Sequence, residues 1–200
     1  MEIKYFGNSC FRLKGKQIVL TINPFDPSLG IKISGLTTDI VLFSEKKDTY
    51  LSPLVTKTVS REKLFIVDGP GEYEVGGVFI LGISIGKNTL YVVTMDDLRL
   101  IFLSDLKEKL SDKQIEDIDG TDILFLPAGD AKQALEIINQ VEPQIIIPMA
   151  YKLPELKLDL PPLDSFLKEI GQEATTTDKL IISKDKLPLE KEVVVLNARN

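Results

Sequence analysis

The sequence predicts a layered α+β domain, with strands dominating its first half and strand–helix alternation its second. Three observations predict this. Short β-type runs recur up to residue 103, separated by Gly-, Pro- and Asn-containing turns. After residue 110, helical periodicity alternates with apolar runs of strand length. The 200 residues, with 44% hydrophobic and 27% charged side chains, have the balance of a soluble globular chain. They suit one domain over 1–200, because a chain of this size buries enough surface to fold without a disulfide or metal.

The elements follow in order. Runs at 3–6, 11–13 and 18–22 read as strands joined by Gly7-Asn8-Ser9 and Gly15-Lys16. Asn23-Pro24-Phe25-Asp26-Pro27 reads as a loop. The continuous apolar run 39–43 suits a strand buried on both faces. Strands follow at 64–67, 78–84, 90–94 and 99–103, with turns at Gly69-Pro70-Gly71, Gly76-Gly77 and 95–98. Ser111 with Gln114 three positions later forms a capping-box pattern, and Ile115 and Ile118 follow at helical spacing. Strands at 123–126 and 145–147 flank a helix over 131–141, whose predicted apolar face is Ala134, Leu135, Ile138 and Val141. Leu163, Phe166, Leu167 and Ile170 mark a further helix stopped by Gly171. Strands at 180–183 and 193–196 close the chain, and the Pro-rich stretch 154–162 reads as a connection inside the domain.

Composition bounds the function. The net charge of −6 argues against nucleic acid, and the Lys14/Lys16 and Lys46/Lys47 pairs are too few to form a basic patch. The single cysteine, Cys10, permits neither an internal disulfide nor a thiolate cluster and fits a reducing cytoplasm. The first residues lack the blocks of a signal peptide, and no apolar run approaches the ~20 residues of a membrane span. Histidine is absent altogether. That matters because imidazole is the commonest zinc ligand and the usual general base near neutral pH.

Several segments, in order, resemble one family. Residues 3–13 (IKYFGNSCFRL) resemble the opening strand pair of small metallo-β-lactamase-fold hydrolases, which reads G-H-S-C or G-H-A-C in that family. Residues 19–26 (VLTINPFD) resemble its hairpin ending in D-P-F, and 39–50 (DIVLFSEKKDTY) fall where it has a strand followed by H-x-H-x-D-H. Residues 67–77 (VDGPGEYEVGG), 87–93 (KNTLYVV), 103–110 (LSDLKEKL) and 142–152 (EPQIIIPMAYK) are similar to further segments of one branch. The set spans about residues 1–170. It implies a four-layer αββα sandwich with a zinc site at the shared edge of the two sheets.

The resemblance also locates the replaced positions. Asn8 stands at the histidine of G-H-S-C. Ser44, Lys46 and Thr49 stand at the three histidines of H-x-H-x-D-H, where Asp48 keeps the aspartate. Asp105 keeps the metal-bridging aspartate, while Glu108 and Ala150 replace later histidines and Asn23 the aspartate of D-P-F. A further ligand loop is missing before Gly86-Lys87-Asn88. A zinc hydroxide needs imidazoles and carboxylates around one open position, and only Asp48 and Asp105 remain of that set. Lys46 is expected to pair with Asp48 or Asp105 in place of the cation.

The expectation is therefore no zinc and no catalytic residue. The scaffold would be kept as a pseudoenzyme that binds a small molecule or a protein partner. The alternative is a hydrolase of esters or phosphoesters using Mg²⁺ or Mn²⁺ held by Asp26, Glu45, Asp48, Asp105 and Glu108. A third reading is a structural subunit of a homo- or hetero-oligomer. Gly69-Pro70-Gly71-Glu72-Tyr73 lacks the helix and Lys-Ser/Thr of a phosphate loop and reads as a structural turn. Cys10, with no histidine to activate it, reads as a core thiol.

Overall fold

The computed structural model describes residues 1–31, 36–45, 55–59, 62–103 and 110–199. Two sheets carry the fold. The first contains β1 (Glu2–Gly7), β2 (Cys10–Lys14), β3 (Val19–Ile22), β5 (Ile40–Leu42), β7 (Phe65–Val67) and β15 (Leu180–Ile181), in the order β15-β1-β2-β3-β5-β7. The second contains β8 (Gly71–Val75), β9 (Val78–Ile85), β10 (Asn88–Met95), β11 (Leu98–Phe102), β12 (Ile123–Pro127), β13 (Ile145–Met149), β14 (Ala174–Thr177) and β16 (Glu192–Leu196). Its order is β14-β16-β13-β12-β11-β10-β9-β8. Strands β8 to β11 are antiparallel hairpins, whereas β11, β12, β13, β16 and β14 run parallel. A small parallel pair, β4 (Leu36–Thr38) and β6 (Val55–Lys57), stands apart.

Period-two alternation sorts the first sheet's side chains between two cores. Ile3, Tyr5, Phe11, Leu13, Leu20, Ile22, Ile40 and Leu42 face the second sheet, while Phe6, Cys10 and Val41 face the other way. All three residues of β5 are fully buried, as the continuous apolar run requires. The two sheets meet through aromatic rings. Phe11 packs edge-on against Phe125 at 4.8 Å, and Phe125 stacks on Phe102 at 4.1 Å. The opposite face of the first sheet is covered, among the described residues, by β4, β6 and the segments around Phe25, Ile31 and Leu156.

The helices are α1 (Asp112–Asp117), α2 (Ala131–Val141) and α3 (Leu163–Ile170). The capping box of α1 forms as expected: Gln114 N–H donates to Ser111 Oγ and Ser111 N–H to Gln114 Oε1. Helix α2 has the expected bounds, but its buried face is Ala134, Ile137, Ile138 and Val141. Ile137 takes the place assigned to Leu135, which is only partly buried. Helix α3 ends at Gly171 in the left-handed conformation, with Gly171 N–H donating to Leu167. Among the described residues no helix is long and apolar enough to cross a membrane.

Four strands escaped the sequence pattern: β4, β6, β8 and β14. Their residues are threonine- or glutamate-rich or glycine-led, and they gain strand geometry by pairing with neighbours rather than from local propensity. The 180–183 run is shorter than expected, ending at Ile181. Two tight turns close the hairpins of the second sheet. Gly76 and Gly77 both have positive φ between β8 and β9, and Gly86-Lys87 closes β9 onto β10 with Ile85 opposite Asn88. A two-residue hairpin therefore occupies the place where the resemblance expects a ligand loop.

One buried polar atom lacks a partner among the described residues. Thr21 is fully buried, and its Oγ1 makes no hydrogen bond. Burying a hydroxyl without a partner opposes folding by about 1–3 kcal/mol. The isosteric Thr21→Val variant is expected to be more stable by about 1 kcal/mol. Urea denaturation checks this, with a raised midpoint at unchanged m-value as the expected result.

Candidate functional site

A cleft of about 620 Å³ opens where the two sheets share an edge. The first sheet contributes the β1–β2 turn (Asn8, Ser9), the end of β3 (Asn23) and the end of β5 (Phe43, Ser44, Glu45). The second contributes the ends of β12 and β13, with Pro127, Gly129, Met149 and Ala150. The remaining wall comes from Phe25 and Leu29 on one loop and Leu158, Leu160 and Pro161 on another. Volumes of several hundred Å³ with apolar walls and a few polar groups are typical of small-molecule sites.

The floor is a fixed polar network. Asn23 Nδ2 donates to Ser44 Oγ at 3.1 Å, and Ser44 N–H returns a bond to Asn23 Oδ1 at 2.8 Å. Thr89 N–H donates to the Ser44 carbonyl at 2.7 Å, tying the end of β5 to β10. Ala150 N–H donates to the Asn8 carbonyl at 2.7 Å, joining the rims of the two sheets. The Asn8 carbonyl also accepts from the Tyr5 hydroxyl at 2.9 Å, and the Phe43 carbonyl from the Tyr91 hydroxyl at 2.9 Å. Burial pushes both phenols above their ordinary pKa, so they stay protonated and remain donors.

Backbone strain gathers at this floor. Asn8, Asn23 and Ala150 have φ of 52°, 48° and 53°. Asparagine tolerates the left-handed region, but alanine there is disfavoured by roughly 1 kcal/mol. The Asn8–Ala150 bond and the Asn23–Ser44 pair hold these conformations in place.

The structure thus brings together Asn8, Ser44 and Ala150 from the sequence-derived site, along with Asn23, Asp26 and Glu45. Lys46, Asp48, Thr49, Asp105 and Glu108 lie outside the described residues, as does the expected Lys46 ion pair. Asp26 Oδ1 accepts from Ser28 N–H at 2.6 Å, capping a 3-10 turn at Pro27–Leu29 that extends beyond the predicted loop at 23–27. Among the described residues no group of three or more His, Cys, Asp or Glu side chains is placed to hold a metal. Sequence reasoning missed the apolar wall. Leu158 and Leu160 lie in a stretch that reads as a connection, and only the two-residue spacing of Leu156, Leu158 and Leu160 hints that it packs as a strap. Cys10 is fully buried, and burial raises its thiol pKa, which leaves it inert.

Two facing sheets, with a cleft at their common edge built from loops of both, are the layout of the metallo-β-lactamase sandwich. A family described as "Beta-lactamase superfamily domain" matches residues 2–150. A candidate Zn-dependent hydrolase of the metallo-β-lactamase superfamily from Thermotoga maritima is 32% identical, superposes with a TM-score of 0.82, and is covered over 98% of both chains. The chain belongs to the metallo-β-lactamase superfamily. The fold is shared by a metallo hydrolase from Ignicoccus hospitalis (15% identity, TM-score 0.66, coverage 100% and 96%). It is also shared by YhfI from Bacillus subtilis (12% identity, TM-score 0.61, coverage 98% and 96%). Comparison with curated proteins finds no match.

Zinc is the metal this superfamily implies, and the described floor does not suit it. Its carboxamides, hydroxyl and methyl group offer no imidazole or thiolate, and the Asn23 carboxamide is already engaged by Ser44.

Proposed function

We propose that the protein is a hydrolase-like superfamily member that works without zinc, as a pseudoenzyme whose edge cleft binds a ligand. One observation carries the reading: with no histidine in 200 residues, the positions that line the cleft hold Asn8, Ser44 and Ala150 instead. A hydroxide nucleophile at neutral pH needs a metal with an open position or a general base, and neither is supplied by these side chains. The fold alone does not argue for hydrolysis, because chemistry resides in the site. The ligand is a small molecule or a segment of a partner protein, and nucleic acid is disfavoured by the net charge of −6.

Elemental analysis of protein expressed in zinc-supplemented medium tests this, together with hydrolysis of p-nitrophenyl acetate and bis-p-nitrophenyl phosphate. The expected result is zinc far below one equivalent and no turnover above background, with or without added Mg²⁺ or Mn²⁺. Stoichiometric zinc would overturn the reading. Turnover dependent on Mg²⁺ or Mn²⁺ would replace it with the carboxylate-site hydrolase.

A further inference from the structure

Building on the metal-free reading, we propose that the cleft binds an uncharged amphipathic small molecule. Its carbonyl- or amide-type head would sit on Asn8 and Ser44, and its apolar body along Phe25, Leu29, Leu158 and Leu160.

The head preference rests on the floor. Ser44 is 2% exposed and lines the cleft. Its Oγ accepts from Asn23, and its own hydroxyl proton has no acceptor among the described residues. The Asn8 carboxamide also makes no hydrogen bond with them, although the Asn8 backbone is fixed through Tyr5 and Ala150. A buried hydroxyl proton and an uncommitted carboxamide lining one cleft present both donors and an acceptor, the complement of an amide. Charge narrows the class. No lysine or arginine is among the described residues lining the cleft, and its two ionisable side chains there are the acidic Asp26 and Glu45. Among the described residues a carboxylate or phosphate finds no cation to replace the water it would lose. A cationic head would have to compete for these carboxylates, because Asp26 already accepts from Ser28 N–H and Glu45 also has a partner within the chain.

The body preference rests on the wall. Leu29, Leu158 and Leu160 are only partly buried against the smaller core, so their remaining apolar surface faces the cleft. The Lys157 N–H to Leu29 carbonyl bond at 2.7 Å fastens the two loops that carry them. Covering this surface with an aliphatic chain is favourable in proportion to the area removed from water.

Isothermal titration of the full chain with octanamide, octanoate and octylammonium separates head from body, since all three share a similar aliphatic tail. Octanamide is expected to bind at least about tenfold more tightly than either ion. Asn8→Gly keeps the positive φ and removes the carboxamide, so it is expected to weaken octanamide selectively while leaving the melting temperature close to that of the parent. Ser44→Ala is expected to weaken octanamide as well, with a lowered melting temperature because Asn23 Nδ2 loses its acceptor, and Leu160→Ser to weaken all three. Equal binding of the three compounds, preference for either ion, or no binding of octanamide would overturn the inference. Stoichiometric zinc would instead overturn the metal-free reading beneath it, so the two failures are distinguishable.

Discussion

Gly30→Ala is expected to destabilise the protein by about 3 kcal/mol and to detach one wall of the cleft. Gly30 has a φ of +104°, outside the range an L side chain adopts readily. A Cβ there would stand 2.0 Å from the Glu155 carbonyl oxygen, a backbone atom, and 3.2 Å from Lys157 Cγ. Gly30 N–H also donates to the Pro27 carbonyl, so the loop has little room to rotate. The strap from Leu153 to Lys157 must therefore move away, breaking the Lys157–Leu29 bond that holds the leucine wall. Strain contributes roughly 1–2 kcal/mol and the clash a similar amount. Gly171→Ala isolates the first effect. Its φ is +67° and nothing lies within 4 Å of a Cβ there, so about 1 kcal/mol is expected. Thermal melts of the two variants check the contrast, with roughly 10 °C lost at Gly30 and about 3 °C at Gly171. Equal losses would show that the close approach to Glu155 is irrelevant.

Phe125→Ala is expected to have the largest effect on stability, about 4 kcal/mol. Phe125 is fully buried in β12, stacked on Phe102 at an interplanar angle of 15° and set edge-on to Phe11 at 67°. Its ring touches both a neighbouring strand of the second sheet and the first sheet. Truncation removes apolar burial, leaves a cavity between two close-packed sheets and abolishes both ring contacts. Phe125→Leu fills most of the space and is expected to lose under about 2 kcal/mol. Guanidinium denaturation monitored by circular dichroism gives both values. A loss at Ala no larger than at Leu would mean that the sheets close over the cavity.

Most of the fold was legible in the sequence because its strands alternate and its helices are capped. The bounds of α2 and α3, the capping box of α1 and the doubly buried β5 follow from local pattern alone. Strands β8 and β14 did not, since GEYEV and ATTT carry little apolar signal and become strands only at sheet edges, beside β9 and β16. On α2, Leu135 and Ile137 differ by two positions. Which of them is buried depends on how the helix rolls against the sheet, and tertiary packing decides that.

The candidate site divides in the same way. The sequence by itself determined that no imidazole is present and, through its resemblance to the superfamily, which positions had lost one. Composition is a property of the chain, and no folding can restore a missing side chain. Only the tertiary structure decided that Asn8, Ser44 and Ala150 face a single cleft, that Asn23 bonds to Ser44, and that leucines from a proline-rich strap form the opposite wall. Two of the contacts that build the site join residues more than a hundred positions apart, Asn8 with Ala150 and Leu29 with Lys157. They exist because two sheets, each burying one face against the other, bring their strand ends to a common edge.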